Sequence, residues 1–324
     1  MTSTSSPRPV APPRRLWLIS LLLALIGWCC SAARHALLQS NAYDLGLFDQ
    51  WAWLLSQGLA PISSMEEVHL LADHGAWVFF LTGGLYAIAP SVHWLLASQA
   101  LALSLTAIPI WMLAAQARLP QRLCWLACLL WWLQPVVFNS NLFDFHPEVW
   151  VMPALALILW AERARRAWLW LALLLILLGC RDGLVLITIG LALELACQRR
   201  WRWSASAALL SAGWLLMLSR WLYPWLRGGE GPKAAGRMFG HLNGGLHQIL
   251  TSIDWSGGVS YLVLLALPCG LLWRRRSLPV LVIALPLVLV NLLSASPSYR
   301  TLIHHYSLPL AVVAVTAAID GLAE

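Results

Sequence analysis

Apolar runs recur from Leu16 almost to the end of the chain, and no polar interval between them could fold a separate large domain. A membrane-crossing helix needs about 20 mostly apolar residues. The runs 16–33, 92–116, 123–138, 149–161, 167–180, 184–197, 204–226, 259–273, 277–294 and 308–322 give about ten such helices, the shorter ones completed by flanking residues. Composition agrees. The 324 residues are 60% hydrophobic and 11% charged, against about 45–50% and about 25% in soluble domains. The expected fold is an all-α polytopic membrane protein, with one integral domain over 16–324. Residues 1–15, polar, Pro-rich and basic, are expected to be a disordered cytoplasmic N-terminus. The first run, LWLISLLLALIGWCCSAA, reads as an uncleaved span rather than a signal peptide, because so many spans follow it. The seven cysteines lie mostly inside apolar runs, with no CxxC pair, and read as small packing residues rather than a disulfide or zinc framework.

Basic residues set the orientation, because Lys and Arg concentrate on the cytoplasmic side. The stretch 76–90 is apolar but short and Gly-interrupted, so it is placed as an interfacial or re-entrant segment inside a long first outer loop, 34–91. Most of the 21 Lys and Arg then fall inside: Arg8, Arg14, Arg15, Arg118, Arg122, Arg163, Arg165, Arg166, Arg199, Arg200, Arg202, Arg274, Arg275 and Arg276. Both termini are cytoplasmic. The net charge of +7 is a product of topology rather than a nucleic-acid signal. All nine His fall on the outer side, as do most of the acids. Groups suited to proton transfer and metal binding thus gather on one face.

The outer segments carry the candidate chemistry. In NAYDLGLFDQWAW (41–53), Asp44 and Phe48 share a helical face with Asp49 beside them. Leu45, Leu47, Trp51 and Trp53 suit the membrane interface. The segment reads either as an amphipathic helix holding carboxylates over a cavity or as a solvated loop with an aromatic anchor. In NSNLFDFHPEVW (139–150), Asp144 and His146 stand as D-x-H. Either they ligate a metal ion or they cap the next span. Arg181 and Asp182 form a charged turn between apolar runs, a functional pair if it sits at membrane depth. The Gly-rich loop 227–258 carries Arg227, Lys233 and Arg237, read as phosphate-meeting groups or as a plain connector. Near the end, Arg300 and His304 would share a helical face beside His305 and Tyr306. Arg300 is the anion candidate there, against simple interfacial anchoring.

The succession YDLGLFDQ, ADH (72–74), FDFHPE, an R-D-G turn and HHYSLPL resembles the bacterial polytopic family catalogued as domain of unknown function 2079, over about residues 40–320. That family is similar in turn to the type C glycosyltransferase superfamily. The resemblance implies a GT-C-like fold in the inner membrane and transfer of a sugar from a polyprenyl-phosphate donor on the extracytoplasmic face. The acceptor is a glycan, lipid or protein that the sequence does not specify. The essential acid of the first outer loop falls on Asp44, with Asp49 as second choice. His74, Asp182, Arg300, His304, His305 and Tyr306 are the substrate-binding candidates. A divalent metal held by Asp144 and His146 is the one cofactor considered. The family often has Lys-Glu-Asp where this chain has Cys180-Arg181-Asp182, which leaves the first two positions without a carried-over role. No large soluble C-terminal domain of the kind some superfamily members use for acceptor binding is expected. Two other classes remain as rivals, a transporter and a non-catalytic lipid- or partner-binding membrane protein. A transporter usually binds at the midplane between repeated halves, and no repeat is seen here.

Overall fold

The structure, a computed structural model, describes residues 11–229, 238–242 and 245–324. Arg8, Glu230, Lys233 and Arg237 lie outside the described residues. The described residues contain no strand, and helix makes up 78%. The first helices are α1 (Arg14–Ala36), α2 (Ala42–Ser56), α3 (Leu70–His74) and α4 (Leu81–Ile88). Next come α5 (His93–Leu105), α6 (Ala107–Gln116), α7 (Gln121–Trp132), α8 (Pro135–Leu142) and α9 (Val151–Arg163). They are followed by α10 (Ala167–Leu178), α11 (Val185–Cys197), α12 (Trp201–Met217) and α13 (Tyr223–Leu226). The chain closes with α14 (Leu246–Ser252), α15 (Trp255–Ala266), α16 (Leu278–Leu281), α17 (Leu285–Leu293) and α18 (Leu308–Leu322).

Five helical segments among the described residues are long and apolar enough to cross a membrane: Arg14–Ala36, His93–Gln116, Trp201–Leu226, Arg275–Leu293 and His305–Leu322. The pair α7–α8, bent by 46° at a short break, makes a sixth if it counts as one span. The bend falls where Gln134 leaves helical geometry and Pro135 opens the next helix, since proline disfavours the α conformation in the residue before it. α10 and α15 are apolar but shorter. The 76–90 stretch forms a short apolar helix, Trp77–Ile88, packed on α2.

α18 is the central element. Its apolar window is 83% buried, against 22% for α1 and 17% for Trp201–Leu226, which lie at the periphery. The reason is visible in its sequence, LPLAVVAVTAAIDGL, where small and β-branched residues let neighbours approach on every side. Close approach also fixes Gly190 of α11, where a Cβ would stand 2.0 Å from the Ile283 carbonyl oxygen. Packing of this density is felt by even one added methyl group.

The helix ends gather into two clusters. At one end, Arg34 meets Asp144, the Val78 amide donates to the Gly179 carbonyl, and the Asn139 amide donates to the Leu302 carbonyl. At the other, Arg163 forms two parallel bonds of 2.7 Å to Asp320, and Arg200 pairs with Glu162. α9 and α18 pack side by side and run in the same direction between the clusters.

Candidate functional site

α2 begins where its sequence says a helix should. Asn41 is the N-cap, its side-chain oxygen accepting from the Tyr43 amide at 2.9 Å. Asp44 follows in the first turn, where the helix dipole favours a carboxylate. One turn on, Phe48 is buried and packs edge-on against His146, with ring centroids 5.6 Å apart. Asp44 and Phe48 meet the same imidazole: Asp44 Oδ1 lies 3.9 Å from His146 Nε2. The expected shared face therefore exists and points at FDFHPE. The expected interfacial set differs. Leu45, Leu47 and Trp51 are core residues, because Phe79 and Phe145 arrive from other segments to cover that face; only Trp53 is exposed.

The FDFHPE turn divides its polar groups between anchoring and site. Asp144 accepts from Arg34 Nη1 at 3.1 Å and from the Asn41 amide at 2.6 Å, tying α1, α2 and the turn together. His146 Nδ1 is bonded to the Asp144 carbonyl at 3.0 Å, which leaves Nε2 directed at Asp44. The imidazole stacks on His305 with ring centroids 3.7 Å apart. Glu148, two residues on, is buried and pairs with Arg181 and with His305, whose Nε2 lies 2.9 Å from Glu148 Oε1 and 2.8 Å from Arg181 Nη1. The Arg181 guanidinium also sits 5.8 Å from the centre of the Tyr306 ring, and Tyr306 stacks on Tyr299. Glu148 Oε2 and His305 Nδ1 are buried without a hydrogen-bond partner. Unpaired buried polar atoms are uncommon, and here two lie in one cluster.

Electrostatics separate the acids. Burial and the neighbouring Asp144 charge push the Asp44 carboxyl above the ordinary carboxylate value, against the lowering effect of Arg181 and His74. Burial also opposes ionisation of Glu148, yet the charges of Arg181 and His305 hold it well below the usual range. Burial and the neighbouring His305 push His146 well down, so its imidazole is neutral. The Asp44–His146 contact is thus a carboxyl beside a neutral imidazole rather than an ion pair.

The remaining expected residues are dispersed. Asp49 turns away from Asp44 and accepts from the Tyr86 hydroxyl at 2.7 Å. His74 pairs with Asp73 at 3.0 Å and stacks on Phe48. Asp182 accepts from the Tyr223 hydroxyl at 2.8 Å and from the Gly183 amide. His304 packs edge-on against Phe143 and is bonded to Thr301. Arg300 and His304 do not share a helical face, because the chain is extended at Thr301 between two short 3-10 turns. Arg300 instead caps the carbonyls of Asn291 and Ser294 and lies 3.7 Å from Asp254. The cation inside the cluster is Arg181, which the sequence pairs with Asp182 in a charged turn; its partner in the structure is Glu148, which no local motif marks. A signal was present: Arg181 stands between two long apolar runs, where a charge requires a partner.

The D-x-H pair does not fit a metal ion as arranged. Both Asp144 oxygens are engaged by Arg34 and Asn41. Among the described residues no three His, Cys, Asp or Glu side chains form a metal-holding group.

Residues 34–324 match the family model described as predicted membrane protein (DUF2079), and the chain belongs to that family. No curated protein and no solved structure matches the chain.

Proposed function

We propose that this member of the family is a glycosyltransferase that uses a polyprenyl-phosphate sugar on the extracytoplasmic face of the inner membrane. The proposed topology has ten spans, the short helices and the bent pair included, with both termini cytoplasmic. The observation that carries the proposal is the placement of Asp44: a carboxyl of raised pKa, next to a neutral imidazole, at the end of the bundle that holds the half-buried Arg181 guanidinium. A general base for an alcohol needs a carboxylate within reach of the hydroxyl and a pKa moved toward working pH.

In this reading the acceptor hydroxyl approaches Asp44. As its oxygen bonds to the anomeric carbon, Asp44 takes the proton. The bond from that carbon to the phosphate oxygen breaks, and polyprenyl phosphate leaves with the electron pair. One displacement inverts the anomeric centre. Arg181 supplies positive charge to the departing phosphate, and Tyr306, His304 and His74 border the sugar. His146 packs beside the Asp44 carboxyl at 3.9 Å and walls off one side of it. Asp144, Asp182 and Arg300 act as anchors for the segments that carry these groups, and Asp49 as an anchor for α4.

The test is a reaction. Protein in nanodiscs is offered a panel of polyprenyl-phosphate sugars, and release of polyprenyl phosphate is followed for the wild type and for Asp44→Asn. Release by the wild type alone supports the proposal. Equal release by both proteins removes Asp44 from it.

A further inference from the structure

The end of the bundle away from Asp44 closes three helices in one way. α6, α9 and α11 are each followed by an arginine of positive φ: Arg118 at 60°, Arg165 at 56° and Arg199 at 59°. In each turn two amides reach back. Arg118 and Leu119 donate to the carbonyls of Ala115 and Ala114, Arg165 and Arg166 to Glu162 and Ala161, and Arg199 and Arg200 to Ala196 and Leu195. This is the paired-bond helix terminus that glycine ordinarily closes, since side chains are disfavoured in the left-handed region. Three arginines hold that position here, at one level of one end.

Two of them open onto a groove. Arg165 and Arg199, with Arg200, Arg202, Trp201 and Trp203, line an open volume of about 440 Å³ that no carboxylate faces. Arg200 is engaged, paired with Glu162 and placed 5.4 Å from the Trp203 ring. Arg165, Arg199 and Arg202 are exposed, and no side-chain bond or ion pair ties them to another described residue. The flanks are apolar. Trp168 and Trp201 are exposed at the starts of α10 and α12, and Leu209 is exposed further along α12. Most of the Trp201–Leu226 segment is open, only 17% of its apolar window being buried.

We propose that this groove binds the phosphate headgroup of an anionic phospholipid, with its acyl chains along the exposed face of α12. Three unpaired guanidinium groups without a facing acid complement a phosphodiester. Exposed indoles at the rim mark the headgroup level of a bilayer. The continuous apolar face below favours a lipid over a soluble phosphate. Basic clusters at the cytoplasmic ends of helices attract anionic lipids in this way. The proposal is independent of the transferase reading.

The experiment uses delipidated full-length protein in detergent, with phosphatidylglycerol or phosphatidylcholine added and bound lipid counted by native mass spectrometry. The wild type is expected to retain phosphatidylglycerol at least about tenfold over phosphatidylcholine, at about fivefold per guanidinium. The triple variant Arg165→Gly, Arg199→Gly, Arg202→Gln is expected to lose that preference. Glycine adopts a positive φ freely, so the helix ends are kept while the charges go. Arg14→Gln with Arg15→Gln, at the same end but outside the groove, should keep the preference. An unchanged preference in the triple variant overturns the proposal. So does a wild-type preference that survives about 1 M salt, where surface charges are screened. Displacement of the lipid by equimolar soluble glycerol phosphate would show that the acyl chains add nothing and overturns the lipid assignment.

Discussion

The imidazoles of His146 and His305 stack 3.7 Å apart, joining the FDFHPE turn to the segment that opens α18. Asp44 stands on one side of this stack and the Glu148–Arg181 pair on the other. Three segments remote in sequence are thereby placed around one pair of rings, and each can be tested separately.

Asp44 and Asp144 should behave differently. Asp44→Asn should lower polyprenyl-phosphate release by about 100-fold or more, the low end of what a general base contributes, while the melting temperature in detergent stays near that of the wild type. Asp144→Asn leaves Arg34 and the Asn41 amide poorly satisfied and should cost about 1–3 kcal/mol of stability. Melting curves and turnover on the same preparations separate the two, and an Asp44→Asn protein of full activity refutes the role of base.

The rate should depend on pH through Asp44. Its folded-state pKa is raised by burial and by Asp144, and the base must be ionised to act. The proton stays on to a higher pH than on an ordinary aspartate, so kcat/KM should rise with pH along a limb displaced upward from 3.8 and be lost as pH falls through it. A limb at or below the ordinary value, from a pH series on the wild type, would contradict this.

Glu148→Gln leaves the half-buried Arg181 without its counter-charge. Breaking one side of a buried pair costs about 3–5 kcal/mol, whereas replacing both by apolar groups of similar size is often nearly neutral. Thermal unfolding should therefore place Glu148→Gln well below the double variant Glu148→Met with Arg181→Met. Neither is expected to be active, because the double variant removes the cation assigned to the leaving phosphate.

Backbone geometry gives a prediction of opposite sign. Arg118→Gly, Arg165→Gly and Arg199→Gly each relieve a left-handed side chain and should each stabilise the protein by about 1 kcal/mol. Gly190→Ala should destabilise, since its methyl group meets the Ile283 carbonyl and overpacking costs about 1–3 kcal/mol. Melting temperatures of these four variants test both statements.

Legibility in the sequence followed range. Asp44 and Phe48 could be read onto one face because helical period fixes neighbours a turn apart, and both do meet His146. The same rule fails for Arg300 and His304, because no helix continues through Thr301, where the chain is extended. Trp51 looked interfacial because nothing local announces that Phe79 and Phe145 pack on the face beneath it. Arg181 and Glu148 are paired between two turns remote in sequence, and no periodicity carries that information. Long spans such as His305–Leu322 are plain from composition, while α10 and α15 are too short for length alone to decide.

α9 and α18 are held in common register at both ends, by the His146–His305 stack and by the two bonds from Arg163 to Asp320. Inserting one residue in either helix would advance everything beyond it by about 1.5 Å and turn it by about 100°. One of the two attachments would then be lost. Point substitutions along these helices face only local packing, but insertions and deletions must come in matched sets or not at all. In related chains, loop lengths are free to drift, while the lengths of these two helices are expected to vary only together.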